Sequence, residues 1–197
     1  MFKYCPSCAS PEINFTRNKF HCSSCGFVYY HNTAAATACV LRISGDSGGN
    51  GPAAEERILF LVRGREPGLG RLDLPGGFVD PGEGAVEGLR RELREELGWE
   101  PPPSSREGPD PFVLFASFPN VYPYRGVVYN TCDLFFTAGV KGLCEKDFEI
   151  EKSEIKEIRF VRYGEIDPAD IAFESVKKAL AAYGAWKRQE GARGSRP

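Results

Sequence analysis

The chain has 197 residues, 42% apolar and 26% charged, which leaves room for one catalytic-size domain and a small accessory module but not for two large domains. Its 25 basic and 27 acidic residues give a net charge of -2, so no global positive field exists to draw in a nucleic-acid backbone. No apolar run is long enough to cross a membrane, and residues 1–10 lack the basic-then-apolar build of a signal peptide, so a soluble cytoplasmic protein is expected.

Residues 1–31 carry few aliphatic side chains, too few to bury a core of their own. They do carry two C-x2-C pairs, Cys5/Cys8 and Cys22/Cys25, with thirteen residues between them. In a cytosolic chain with an odd total of seven cysteines, that double knuckle predicts a zinc ribbon rather than a disulfide framework. Four thiolates close a tetrahedral shell and leave no position for water, so the expected zinc is structural, and its binding free energy replaces the missing core. His21 and His31 read as surface residues. Lys3, Arg17 and Lys19 against Glu12 make a weak basic footprint, so nucleic acid is not an expected partner.

From Thr33 the pattern changes. Residues 34–43 and 57–63 read as strands, separated by a turn-rich loop at 44–56. Residues 71–79 read as a short strand interrupted by Pro75-Gly76-Gly77. Over 85–97, Val86, Leu89, Leu93 and Leu97 recur at spacings of three, four and four, which predicts a helix stopped by Gly98. A Pro- and Ser-rich loop at 100–111, strands at 112–118, 127–137 and 157–161, and an amphipathic helix at 174–187 through Val176, Ala179, Leu180 and Tyr183 follow. The division expected is a ribbon at 1–31, one domain at 32–188 and a disordered tail at 189–197. Interleaved strands and helices imply an α/β layered domain with a mixed sheet, and Cys39, Cys132 and Cys144 are expected as small buried apolar residues.

On the first predicted helix Glu92, Glu95 and Glu96 share one flank at i, i+3 and i+4. Like charges so spaced repel by a few tenths of a kcal/mol per pair, roughly. Arg91 offsets part of this but not all. Magnesium is a hard cation held by a few carboxylates with waters and substrate phosphates, and the bare backbone at Gly76-Gly77 could add a carbonyl oxygen or present amides to phosphate.

The longer stretch reads Gly77, five residues, Glu83, seven residues, Arg91-Glu92-Leu93, Arg94, Glu95-Glu96, Leu97, Gly98, Trp99. It resembles the box of the Nudix hydrolase family, G-x5-E-x7-R-E-U-x-E-E-x-G-U, where U is bulky and apolar. Chance would produce the whole pattern with a probability on the order of one in ten million. Leu74-Pro75-Gly76-Gly77 is similar to the segment that leads into that box, and the likeness extends over residues 33–183.

The resemblance implies an α/β/α sandwich and magnesium- or manganese-dependent hydrolysis of a nucleoside diphosphate linked to another moiety, such as NADH or NAD, ADP-ribose or a nucleotide sugar. It implies Gly77, Glu92, Glu95 and Glu96 as metal ligands, with Arg91, Glu92 and Glu95 catalytic. Arg91 would orient the glutamates and Glu83 would support the loop–helix junction. The base that activates water is left between Glu92 and a downstream residue, with Glu149, Glu151 and Glu154 the candidates.

A ribbon before such a domain is similar to the architecture of NADH pyrophosphatases, but their downstream S-Q-P-W-P-F-P-x-S signature is absent. In its place stand residues 115–126, an aromatic loop containing Tyr122, Tyr124 and Arg125 that could stack a base and pair with a phosphate or simply pack on the sheet. A homodimer is left open. The rival reading is a non-catalytic nucleotide sensor or nucleic-acid-binding regulator, against which stands the intact set of repelling carboxylates.

Overall fold

The computed structural model describes residues 2–45, 56–101 and 111–193. Most of the two loops expected at 44–56 and 100–111, and the last four residues of the chain, lie outside the described residues.

The N-terminal segment forms a three-stranded antiparallel sheet from β1 (Ile13–Thr16), β2 (Lys19–Cys22) and β3 (Val28–Tyr30). Its buried core is only Cys5, Phe20 and Cys22, with Ile13 and Phe27 packed alongside. The shortage of apolar area expected from sequence is therefore real, and something besides burial must hold this sheet.

The larger sheet contains β4 (Ala34–Ser44), β5 (Arg57–Arg63), β6 (Leu72–Asp73), β7 (Val113–Tyr124), β8 (Val127–Lys141) and β9 (Ile155–Arg162). The path runs β6-β5-β4-β8-β7. β9 lies antiparallel along the full length of β5, whose other edge is shared by β4 at one end and β6 at the other. β4 and β8 pair in parallel and the other pairings are antiparallel, so the sheet is mixed.

The period of two sorts its side chains. Cys39, Leu41, Ile43, Leu59, Leu61, Phe136 and Ala138 bury one face against Leu89, Leu93 and Leu97 of α1 (Ala85–Leu97). Val40, Ile58, Phe60, Val62 and Phe135 bury the other against Val176, Ala179, Leu180 and Tyr183 of α2 (Glu174–Arg193). A helix on each face makes the α/β/α sandwich that the sequence implied.

Helix α1 has the expected boundaries. Glu87 accepts the Gly84 N–H at 2.7 Å at its start, and Gly98 ends it at φ +60°, donating to the Arg94 carbonyl.

Four expectations need correction. Residues 115–126 are not a loop: β7 continues to Tyr124, and Tyr124 pairs with Val127 across a two-residue turn. Arg125 and Gly126 both have positive φ there (+47° and +81°), the type I′ geometry that matches strand twist. The expected tail begins inside α2, which runs through Arg193, because Gln189, Ala192 and Arg193 favour helix and a lone Gly191 costs only about 1 kcal/mol. Strand 71–79 shrinks to Leu72–Asp73 plus a single bridge from Phe78 to Ala36, since Pro75-Gly76-Gly77 breaks the ladder. Of the solitary cysteines only Cys39 is buried; Cys132 faces away from the buried neighbours Thr131 and Asp133, and Cys144 follows the end of β8.

Candidate active site

The glycine turn is threaded against the central strand. Thr37 N–H donates to the Gly77 carbonyl at 2.8 Å, Cys39 N–H to Pro75 at 2.9 Å, and Val79 N–H to Ala35 at 3.0 Å. Gly76 sits at φ +142°, and a Cβ there would run into the Thr37 carbonyl oxygen. A Cβ on Gly77 would collide with the Glu92 carboxyl group. These two glycines let the backbone lie directly on α1, and the Gly77 oxygen keeps one lone pair beyond its bond to Thr37.

Arg91 organises the helix face. Its Nε and Nη2 hold Glu83 at 2.9 and 3.1 Å, its Nη1 holds Glu92 at 2.9 Å and Glu95 at 3.1 Å, and Nη2 also donates to the Phe78 carbonyl at 2.8 Å. The bond from Arg91, with the Asp80 N–H, holds the Glu83 carboxyl below its usual range. Glu83 thus ties the turn to the helix, the position expected of it.

Glu92 and Glu96 line a cavity of about 310 Å³; Glu95 does not, being 60% exposed and turned towards Arg91. Burial pushes Glu92 up despite Arg91, and Glu95 and Glu154 add to the rise. Glu96 keeps some solvent access but is surrounded by protein atoms. Burial raises its pKa well above the usual range, the Gly76 N–H at 2.8 Å opposes this, and Glu92, Asp73 and Glu154 reinforce it. Such a set of desolvated, mutually repelling oxygens fits a hard divalent cation, which would invert the local electrostatics.

Of the downstream glutamates the structure brings only Glu154 to this cavity. Its backbone oxygen accepts the Gly64 N–H at 2.6 Å, and its carboxylate pairs with Arg65 at 2.6 Å. Glu149 and Glu151 are exposed; their N–H groups cap the end of α1 by donating to the Leu97 and Glu96 carbonyls at 2.8 and 3.1 Å.

Several cavity residues were missed from sequence. Asp73 pairs with Arg63 at 2.8 Å, and Asp133 accepts hydroxyls from Thr131 and Ser175. A charged residue inside an otherwise apolar strand was the available signal in both R-L-D-L and C-D-L-F-F. Burial raises Asp73 to about 6, opposed by Arg63. A raised carboxyl contributes stability below its ordinary pKa, and that contribution is lost as the pH climbs through about 6. In urea titrations of metal-free protein, wild type should lose about 3 kcal/mol relative to Asp73→Asn between about pH 4 and pH 7.5. A pH-independent gap would contradict the burial of this group.

The rings of Phe78, Tyr122, Tyr124 and Phe173 are part of the cavity lining. Tyr122 lies 5.7 Å from both Phe78 and Phe173, and Tyr129 sits between Phe78 at 5.9 Å and His31 at 6.1 Å.

At the other end of the chain the Sγ atoms of Cys5, Cys8, Cys22 and Cys25 all lie within 4.8 Å of one another. The closest pairs, Cys5/Cys25 and Cys8/Cys22, are 3.7 Å apart. That is too far for a disulfide and close to the edge of a tetrahedron with metal–sulfur bonds of about 2.3 Å. The donor set fits zinc.

Among the described residues no helix is long and apolar enough to span a membrane. The family model of the NUDIX domain matches residues 25–183. Among curated proteins, a NAD-capped RNA hydrolase NudC of Chromobacterium violaceum is 32% identical over 97 residues, 49% of this chain and 32% of that protein. The match thus spans about a third of that relative's length. An RNA pyrophosphohydrolase of Nitratiruptor sp. is 27% identical over 116 residues, 56% of this chain and 71% of its own. The NUDIX domain of Shewanella oneidensis NrtR, crystallised with ADP ribose, superposes with TM-score 0.59 at 17% identity, covering 81% of this chain and 90% of its own. A NUDIX hydrolase from Nitrosomonas europaea gives TM-score 0.53 at 21% identity over 91% of each chain. With the box, the sandwich and the family match in agreement, the chain belongs to the Nudix family.

Proposed function

We propose that the protein hydrolyses the pyrophosphate of a nucleoside diphosphate linked to another moiety, such as NADH or NAD, ADP-ribose or a nucleotide sugar, with magnesium or manganese as cofactor. The observation that carries this reading is one cavity with the desolvated carboxylates Glu92 and Glu96 and the rings of Phe78, Tyr122 and Phe173 in its lining. Carboxylates answer the metal and phosphates, and rings answer a base. The relatives named for NAD-capped RNA and for an ADP ribose complex support the same substrate class.

Glu92, Glu96 and the Gly77 carbonyl would hold the cation, with Glu95 released from Arg91 to join them. When bound, the cation neutralises the phosphate oxygens and acidifies a water. Arg91 keeps Glu92 and the glycine turn in place. Glu154 takes the proton from the attacking water, and Arg65 beside it meets substrate phosphate. Zinc in the four-cysteine site is structural.

A panel of NADH, NAD, ADP-ribose and a nucleotide sugar, with and without magnesium, should show cation-dependent release of two phosphorylated products from at least one member. Glu154→Gln should lower kcat by about a hundredfold or more with little change in KM, while Glu149→Gln and Glu151→Gln retain activity. An unimpaired Glu154→Gln would return the base to Glu92. No turnover on any member, joined to salt-sensitive nucleic-acid binding, would replace the enzyme with the regulator.

A further inference from the structure

Among the described residues three threonines are buried, all in the large sheet, and two of them have a partner for the hydroxyl. Thr131 donates to Asp133 at 2.6 Å and Thr137 to the Val40 carbonyl at 3.1 Å. Thr37 is different: it is 3% exposed, and its Oγ1 is buried with no hydrogen-bond partner among the described residues. Arg42, Glu100 and Tyr183 each also bury one polar atom without a partner, but none of them lines the cavity, whereas Thr37 does. Valine would serve β4 equally well, having the same branched shape and strand preference without an unpaired hydroxyl that works against folding. The fold therefore gives no reason for an oxygen at this position.

Strand register shows what the hydroxyl faces. The antiparallel bridge between Ala36 and Phe78 sets Thr37 opposite Gly77, and the Thr37 N–H donates to the Gly77 carbonyl at 2.8 Å. Opposed residues send their side chains to the same face, with Cβ atoms about 5 Å apart. On this face the place of the missing Gly77 Cβ is taken by Glu92, whose three carboxyl atoms lie within 2.7 Å of it. Cys39, two residues further along β4, points the same way and packs in the core with Leu89 and Leu93 of α1. The Thr37 side chain is thus aimed at the helix that carries Glu92. Arg91 holds Glu92 Oε1 at 2.9 Å, while Oε2 accepts no hydrogen bond among the described residues.

We propose that Thr37 is a positioning residue for cation binding, its hydroxyl donating to Glu92 Oε2 when that carboxylate turns to a divalent cation. The inference rests on the cation-dependent reading of the site and adds a residue to it. Arg91 then fixes one oxygen of Glu92 and Thr37 the other. Each carboxylate oxygen has two lone pairs, so both bonds leave lone pairs for the cation. A group that hydrogen-bonds a metal ligand aligns it, and its loss weakens metal binding by about tenfold or more.

The test is Mn2+ binding to the full zinc-loaded chain, followed by electron paramagnetic resonance, so that no turnover is required. Thr37→Val should weaken Mn2+ binding about tenfold, and Thr37→Ser, which restores the hydroxyl, should stay within about threefold of wild type. Without added Mn2+, Thr37→Val should keep a Tm at least as high as wild type, because the hydroxyl it loses has no partner. A merely structural role would do the reverse, lowering the Tm of Thr37→Val and leaving its Mn2+ affinity unchanged. Glu92→Gln reports on the parent reading. If Mn2+ binds wild type and Glu92→Gln equally, or does not bind wild type, the cation site falls and the inference with it. If Glu92→Gln binds weakly but Thr37→Val binds like wild type, or Thr37→Ser is as weak as Thr37→Val, the Thr37 assignment alone is overturned.

Discussion

Replacing Glu96 by Gln is expected to lower magnesium-dependent turnover by about a thousandfold or more while leaving the metal-free protein at least as stable as wild type. The two halves of this result come from one fact. Glu96 is the carboxylate most opposed by its surroundings, by burial first and then by Glu92, Asp73 and Glu154. Removing its charge relieves that opposition, and the Gly76 N–H that donates to it at 2.8 Å can donate equally to an amide oxygen. What the neutral amide cannot supply is the negative charge that a hard cation needs when only a few protein oxygens hold it. Stability is read from urea unfolding in a chelator, and turnover from product release in saturating magnesium. Full turnover in Glu96→Gln would sink the metal assignment, and a metal-free variant less stable than wild type would sink the electrostatic one.

The second large effect concerns the ribbon. Removing metal with a strong thiol-compatible chelator should unfold residues 1–31 and leave the large sheet protected from amide exchange. The ribbon's own core is three buried residues, whereas neither large core cluster contains a residue from this segment. Structural zinc supplies about 10 kcal/mol or more of folding free energy, which the three-residue core cannot replace. The measurement is hydrogen exchange by peptide, with zinc release followed in parallel. Cys22→Ser should behave as the chelated protein does. Ribbon amides that stay protected after the metal has gone would show that the segment stands without it.

Legibility from sequence followed the strength of the local period. Helix α1 was readable because its apolar positions obey one clean repeat, and strand β5 because five apolar residues run unbroken between two arginines; both were found with their observed boundaries. The Nudix box was readable because its spacing is rigid. The outer half of β7 was not, since Pro119 and Pro123 argue against a strand, and a type I′ turn carrying Arg125 in place of glycine gives no turn signal. Glu154 could not be separated from Glu149 and Glu151, because only the fold of the segment before β9 places it beside Glu92 and Glu96 while its neighbours cap the helix. Asp73 and Asp133 were visible as charges in apolar strands, but their joint presence in one cavity depends on strand order, which no local pattern encodes.

The prolines of β7 have one more consequence. β7 is the last strand on its side of the sheet, and its ladder to β8 is continuous from Ala116 to Tyr124. Proline has no N–H, so Pro119 and Pro123 can stand in that unbroken ladder only where the backbone points away from β8. Near the hairpin tip the outward edge is therefore stripped of donors at both positions, leaving Val121 alone between them. A second copy of the chain therefore cannot zip onto this stretch of the edge as a fully hydrogen-bonded strand, and a contact made through the hairpin tip has to be built from side chains.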